Sequence, residues 1–368
     1  MDFDFSDDQK QLREHARRFL EKTSSREVVR AVLDAGHSHD PKLWAGLGEL
    51  GFTATTIPEE FGGLGLGYLE LCVIAEELGR SLAPVPFSSS VYLATEFLLA
   101  SGTEAQKQRW LPLIANGNAV GTAALTECGD ASEMKVRSKV SDRKLSGAKI
   151  PVPDGMIADF AIVSALDDDD RVQLFVADLA AEGVGREAVS TIDPTRGQAH
   201  LRFDKTPVEP LGTGNSSTIE SVFDRAAVLF AFEQVGGADR ALEMARDYAL
   251  ERRAFGRQIG SFQALKHMMA DMYVSATLAR SNAYYAAWAL SVDSDELRQA
   301  AASARVSATQ AFRHCAKNNI QVHGGMGFTW ESDCHLFYRR SNLLAVNLRG
   351  PMYWEDRLIE CIKKSGVV

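Results

Sequence analysis

Residues Arg252–His267 read RRAFGRQIGSFQALKH, and the rest of the chain takes its sense from this stretch. Before it, SSTIESVFDRAAVLFAFEQVGGADRALEMARDYALERR (Ser216–Arg253) carries apolar residues at helical spacing. Ser217 and Glu220 are spaced as a capping box for that helix. After it, SFQALKHMMADMYVSATLARSNAYYAAWALSV (Ser261–Val292) repeats the helical pattern, with Ser261 as the expected cap. A third helical run, SDELRQAAASARVSATQAFRHCAKNNIQVHGG, ends on Gly324 and Gly325, and two shorter ones finish the chain. Several long helices joined by short connections predict an antiparallel bundle. Its first long connection places two glycines and two phenylalanines around an arginine and a glutamine, in FGRQIGSF. A good helix is interrupted there to present something.

The two preceding regions differ from it and from each other. From about Phe5 to Gly117 the chain reads as helices, the first capped by Ser6, with the glycine-rich turn IPEEFGGLGLG between two of them. From about Gly121 to Gly212 short alternating or β-branched segments follow: GTAALTE, MKVRSKV, RKLSGAKI, DFAIVSAL, RVQLFVADL and AHLRFDKTPV. DDDD and DPTRGQ supply turns between them. So many short strands predict a small antiparallel barrel or sandwich. The expected fold class is α+β: a helical domain at 1–118, a small β domain at 119–213 and a four-helix bundle at 214–368.

Composition narrows the function. With 368 residues, two or three domains are expected. A net charge of −9 argues against nucleic acid as the main partner. The longest apolar runs, such as AAVLFAF, are too short for membrane insertion. The acidic N-terminus lacks the apolar stretch of a secretory signal. Cys72, Cys128, Cys315, Cys334 and Cys361 are scattered, odd in number and form no CxxC, which fits a reducing cytoplasm.

IPEEFGGLGLG, LTECGDASE, RRAFGRQIGSFQALKHMMADM and QVHGGMGFTWESDCHLFYRR occur in this order across essentially the whole chain. Together they resemble the acyl-CoA dehydrogenase family. The resemblance implies FAD as cofactor and an acyl-CoA substrate. It also implies a dimer or dimer of dimers, homomeric or heteromeric, with an electron-transfer flavoprotein as acceptor. In such proteins the R-x-x-F-G loop and the Q-x-x-G-G loop reach a neighbour's FAD. Carried over, Arg252, Phe255, Gln263, Gln321, Gly324 and Gly325 would contact the cofactor, with Thr126 and Ser132 from LTECGDASE on the β domain. The residue types suit the task. A guanidinium binds phosphate bidentately, and glycines let backbone amides approach an anion.

The reaction implied by the resemblance needs a glutamate base, placed by family members at one of two positions. The first lies just before a glycine, after the arginine run. Here YRRSNLLAVNLRG offers Leu348 or Arg349, and neither is a base at neutral pH. The second lies early in the long helix, where FDRAAVL offers Ala226 beside the retained Asp224 and Arg225. Nearby flavin-facing positions are altered too. Cys128 and Ala131 replace a proline and a glycine, and KIPVPDG stands where W-I-T is usual. Pro351 follows Gly350 where a threonine is common. Loops serving a neighbour are kept, while residues serving this chain's own flavin ring are eroded.

Glu233 is the remaining carboxylate to weigh. It lies seven residues after Ala226, two turns and about 10 Å along the same face. It reads better as a buried structural carboxylate paired with an arginine such as Arg280 or Arg305. The small residues Ala226, Ala227 and Gly236 read as tight helix packing before they read as a widened acyl pocket. HSHD (37–40) is a polar loop rather than a metal site, and no metal ligand set is found. GGLGLG lacks the preceding strand of a dinucleotide fingerprint. Two functions remain open. One is an active fatty-acyl or steroid side-chain dehydrogenase with an unidentified base. The other is a catalytically inactive subunit that completes a partner's FAD site.

Overall fold

The computed structural model describes residues 5–127 and 135–364. Eleven α-helices are found among them: α1 (Asp7–Thr23), α2 (Arg26–Asp34), α3 (Pro41–Glu49), α4 (Tyr68–Ser81), α5 (Glu96–Ser101), α6 (Glu104–Ala115), α7 (Ser216–Glu251), α8 (Gln263–Ser291), α9 (Leu297–His323), α10 (Cys334–Val346) and α11 (Pro351–Lys364). The strands are β1 (Gly121–Ala124), β2 (Lys139–Ser141), β3 (Lys144–Pro153), β4 (Phe160–Leu166), β5 (Val172–Asp178), β6 (Val184–Val189) and β7 (Gln198–Asn215), with a small hairpin of β8 (Arg253–Ala254) and β9 (Arg257–Gln258). Helices thus flank a central small sheet, as the sequence predicts. Two compact units emerge: residues 1–27, 68–83 and 227–368 in one, and 28–67 with 84–226 in the other.

The unit holding residues 84–226 contains a closed ring of strands, β4–β2–β3–β7–β5 and back to β4. β1 joins β4 and β6 joins β7 at its sides. Pairing is antiparallel apart from β1 and β2, which lie parallel to β4. The ring closes through one residue pair, Lys139 with Leu166. Phe160–Val163 and Leu174–Ala177 are buried along their whole length, so a half-exposed alternation is absent there. β6, reading VGREAV, was not foreseen. Its side chains are exposed or half-exposed, so it has no apolar face to announce it.

A π-helix at Ser88–Thr95 packs on this barrel, and its three serines fasten it. Ser88 Oγ accepts from Arg196, Ser89 Oγ donates to Asp154 Oδ2 at 2.6 Å, and Ser90 Oγ accepts from Gly121 N at 3.0 Å. Each buried hydroxyl therefore ties a different segment of the unit.

In the other unit α8 and α9 pack together, α10 and α11 lie on α9, and α4 lies on α1 and α8. Alanines line the α8 and α9 buried faces, among them Ala276, Ala279, Ala283, Ala301, Ala304 and Ala308, and let the backbones approach closely. Two glycines make the tightest contacts. A side chain on Gly79 would strike the backbone carbonyl of Glu233, and one on Gly236 would strike that of Glu76. Gly236 therefore serves helix packing.

Local caps show where the sequence reading succeeded. Ser6 and Gln9 form a reciprocal capping box at 3.2 and 2.9 Å. Two other caps are corrected. Strand β7 runs directly into α7, so Asn215 Oδ1 accepts from Ser217 N at 2.9 Å, and Ser217 lies inside the helix. Ser261 belongs to a short 3₁₀ turn and donates to Gln258 O at 2.6 Å, while α8 starts at Gln263 without a side-chain cap.

Candidate functional site

Helix α7 ends because the chain turns into the β8–β9 hairpin. Arg253 pairs with Gln258 and Ala254 with Arg257. The two turn residues, Phe255 and Gly256, both have positive φ, 53° and 79°. A two-residue turn of this kind matches strand twist, and a phenylalanine in that conformation is uncommon. The turn holds Phe255 out of the protein at 95% exposure. Its ring makes an edge contact with Phe262 at 6.2 Å, and Arg257 lies over Phe262 at 4.1 Å. Gln258 Nε2 donates to Leu250 O at 2.6 Å and Ile259 N to Arg252 O at 2.9 Å, which anchors the hairpin to the end of α7.

Arg252, Arg253 and Arg257 are all exposed on this hairpin. None meets a carboxylate among the described residues. Three guanidiniums without counter-charge suit an anion with several oxygens, such as a pyrophosphate. Gln263 is exposed at the first turn of α8.

The second predicted loop lies beside the first. Tyr248 in α7 stacks on His323 at the end of α9, with ring centroids 4.0 Å apart. His323 Nδ1 hydrogen-bonds to Asn319 O at 2.8 Å. Burial is the main influence on His323 and lowers its pKa, and the Asn319 carbonyl partly opposes this. Gln321 is exposed one turn from the helix end. Gly324 adopts φ 59°, ψ −137°, a conformation reserved for glycine. Open space surrounds Gly324 and Gly325, so their backbones can be approached from solvent. The stretch continues with exposed Met326, Phe328 and Trp330. The Tyr248–His323 stack thus sets the end of α7, just before Arg252 and Phe255, beside the end of α9, which carries Gln321 and leads into Gly324 and Gly325. Sequence reading missed the stacked pair that joins them, since nothing in the sequence couples positions 248 and 323.

The first position where the resemblance expects a base forms a separate feature of the same unit. Leu348 and Arg349 both have positive φ, 56° and 77°, just before α11. Two such non-glycine residues in succession store strain, so neighbours must hold them. Trp354 Nε1 donates to Leu348 O at 2.9 Å. The fully buried Arg305 donates to Asn347 O at 2.6 Å and also bonds Leu344 O and Gln234. Burial pushes the Arg305 guanidinium down to about 9 while Glu233 counters. Arg349 lies over the Tyr353 ring at 5.2 Å.

Glu233 is buried, as the sequence predicts, and its charge acts on Arg305. Arg340 approaches it at 4.0 Å and also donates to Leu82 O at 3.2 Å. Arg280 is engaged elsewhere, by Glu76 at 2.8 Å and by Asp239. Ala226, the second position where the resemblance expects a base, is buried.

In the β-containing unit, Thr126 is half-buried and its carbonyl accepts from Ile150 N at 2.9 Å. The adjacent Glu127 accepts from Lys149 Nζ at 2.7 Å, Ser138 Oγ at 2.8 Å and Ser138 N at 3.0 Å. Burial pulls the Glu127 pKa up, but these bonds outweigh it and hold the carboxyl below its usual range. Lys149 is fully buried, and burial lowers its pKa against the pull of Glu127. Glu127 therefore serves structure. Ser132 and Cys128 lie outside the described residues. Among the described residues no cluster of possible metal ligands exists, and no helix is long and apolar enough to cross a membrane.

Comparison with known proteins agrees with this architecture. The family model "Acyl-CoA dehydrogenase, N-terminal domain" matches residues 6–118, and "Acyl-CoA dehydrogenase, C-terminal domain" matches residues 212–347. The acyl-CoA dehydrogenase IpdE2 of Mycobacterium tuberculosis is 34% identical over 94% of this chain and 94% of its own. The ChsE4–ChsE5 complex of Mycobacterium tuberculosis contains a chain with TM-score 0.89 and 26% identity, covering 98% of both chains. A variant of the steroid ACAD Tcur3481–Tcur3483 gives TM-score 0.88 and 28% identity, covering 98% of this chain and 99% of that one.

Proposed function

Because the chain belongs to the acyl-CoA dehydrogenase family, we propose that it is one subunit of a heteromeric, FAD-dependent acyl-CoA dehydrogenase and completes the cofactor site of a partner subunit. One observation carries this reading. The positions that would hold the base are Ala226, Leu348 and Arg349, whereas the arginine hairpin and the α9 glycine turn stand open at the surface. The donor set fits FAD. Arg252 would bind the pyrophosphate, Gly324 and Gly325 would admit it to backbone amides, Phe255 would pack on the cofactor, and Gln263 and Gln321 would offer amide hydrogen bonds. When bound, FAD accepts a hydride from the β carbon of the acyl thioester. This chain supplies binding and orientation, and the proton acceptor would come from the partner.

The relatives favour a bulky acyl thioester, since one solved neighbour is a steroid ACAD, and a two-component assembly, since ChsE4–ChsE5 is a complex. An electron-transfer flavoprotein is the expected acceptor; the related CarC of Acetobacterium woodii belongs to a caffeyl-CoA reductase–Etf complex. Self-sufficient catalysis through Glu233 is less favoured, because that carboxylate is 2% exposed and faces Arg340.

The test is the visible spectrum of the chain purified alone, incubated with FAD and gel-filtered. A colourless protein that turns yellow only when co-expressed with a family partner is the expected result. A stable flavin spectrum that bleaches on adding an acyl-CoA to the chain alone would overturn the proposal.

A further inference from the structure

The unit of residues 1–27, 68–83 and 227–368 contains a cavity of about 340 Å³ whose lining shares no residue with the cofactor site proposed above. Four arginines line it: Arg17 from α1, Arg26 at the start of α2, Arg80 from α4 and Arg240 from α7. Their neutralisation is unequal. Arg17 is matched by Glu77, through Nε at 2.9 Å and a terminal nitrogen at 2.7 Å. Arg80 and Arg240 share a single carboxylate, Glu243, the latter at 3.1 Å.

Arg26 has no carboxylate at ion-pair distance among the described residues. It donates to Ser81 O at 3.1 Å and Arg80 O at 3.5 Å and lies 4.6 Å over the Phe337 ring. Burial first, then the charge of Arg240 and Arg80, push its pKa down to about 10, with Asp333 and Glu27 opposing. Three guanidiniums therefore face one another around one bonded carboxylate. Glu21 and Glu27 also line the cavity, but both are exposed and screened by water.

We propose that this cavity binds a phosphate-type oxyanion through Arg26, Arg80 and Arg240. Such an anion would replace like-charge repulsion with charge-assisted hydrogen bonds from planar donors. The N-terminal end of α2 adds positive potential where Arg26 enters. A water occupies about 30 Å³ of liquid, so the volume accommodates a phosphate with residual water. Free phosphate and a phosphate esterified to a larger molecule share this chemistry, and the two are separable by probe.

The full chain, in phosphate-free buffer, is titrated with inorganic phosphate while thermal unfolding and heats of binding are recorded. Sodium chloride at matched ionic strength is the reference. Saturable binding that raises the melting temperature beyond chloride is expected. Arg240→Gln, at a part-exposed position, should weaken it at least tenfold, and Arg26→Lys provides a second variant if the first does not fold. Arg252→Gln removes the hairpin's own share of any phosphate binding, and the saturable cavity response should persist in that variant. Adenosine 3′,5′-bisphosphate that displaces phosphate identifies an ester ligand; failure to displace identifies free phosphate. A response equal to that of chloride, one unchanged by both cavity variants, or one abolished by Arg252→Gln overturns the proposal.

Discussion

Tyr248 and His323 stack 4.0 Å apart with their planes 22° from parallel, and this pair holds together the ends of two helices whose loops would serve one cofactor. Tyr248 lies outside the quoted motifs, and His323 fills a variable position of the Q-x-x-G-G loop. Their contact sets the spacing between the arginine hairpin and the glycine turn.

The pair makes stability depend on pH. Burial holds the His323 pKa below its ordinary value, so between the folded and unfolded values the unfolded chain binds more protons. Stability from this residue is present above the ordinary histidine value and is lost as pH falls through that range. Melting temperature measured from pH 7.5 to 5 should drop less steeply in His323→Gln than in the parent chain. An identical slope in both would remove His323 as the cause.

Arg252→Gln removes a guanidinium that no carboxylate neutralises. A hydrogen bond to a charged group contributes about 1.5–3 kcal/mol, so FAD affinity in the assembled heteromer should fall about tenfold or more. Flavin fluorescence titration measures this, and the melting temperature of the isolated chain should stay unchanged. Retained affinity would place the pyrophosphate elsewhere.

Lys149→Met leaves the Glu127 carboxylate without its buried counter-ion. Breaking a buried pair from one side costs about 3–5 kcal/mol. The double variant Lys149→Met with Glu127→Gln should recover part of that loss, since neither group is then left charged. A urea-denaturation cycle on the four proteins gives the coupling; additive losses would mean the pair does not act as a unit.

Gly79→Ala forces a methyl group against the backbone carbonyl of Glu233. A carbonyl fixed in a helix cannot swing aside as a side chain would, so α4 and α7 must separate. Overpacking typically costs about 1–3 kcal/mol, and this site should reach the upper end. Gly256→Ala, which meets open space but has φ 79°, should be strained only locally and milder in the same melting experiment.

Helical periodicity, turn residues and strand alternation in the sequence were enough for the order of helices, sheet and helices, because those patterns reflect which face of each element meets the core. The sequence also carries Ala226, Leu348 and Arg349 where the resemblance expects a base, and the residue types at those positions do not depend on the fold. What a residue touches is another matter. Only the tertiary structure added Arg340 beside Glu233 and engaged Arg280 elsewhere, and moved the α7 cap from Ser217 to Asn215 by running β7 straight into the helix. It alone closed the strands into a ring through Lys139 and Leu166, and set Tyr248 on His323. Periodicity is local, carried by neighbours three or four residues away. Ion pairs, ring stacks and barrel closure join residues far apart in sequence, so their partners are decided by packing.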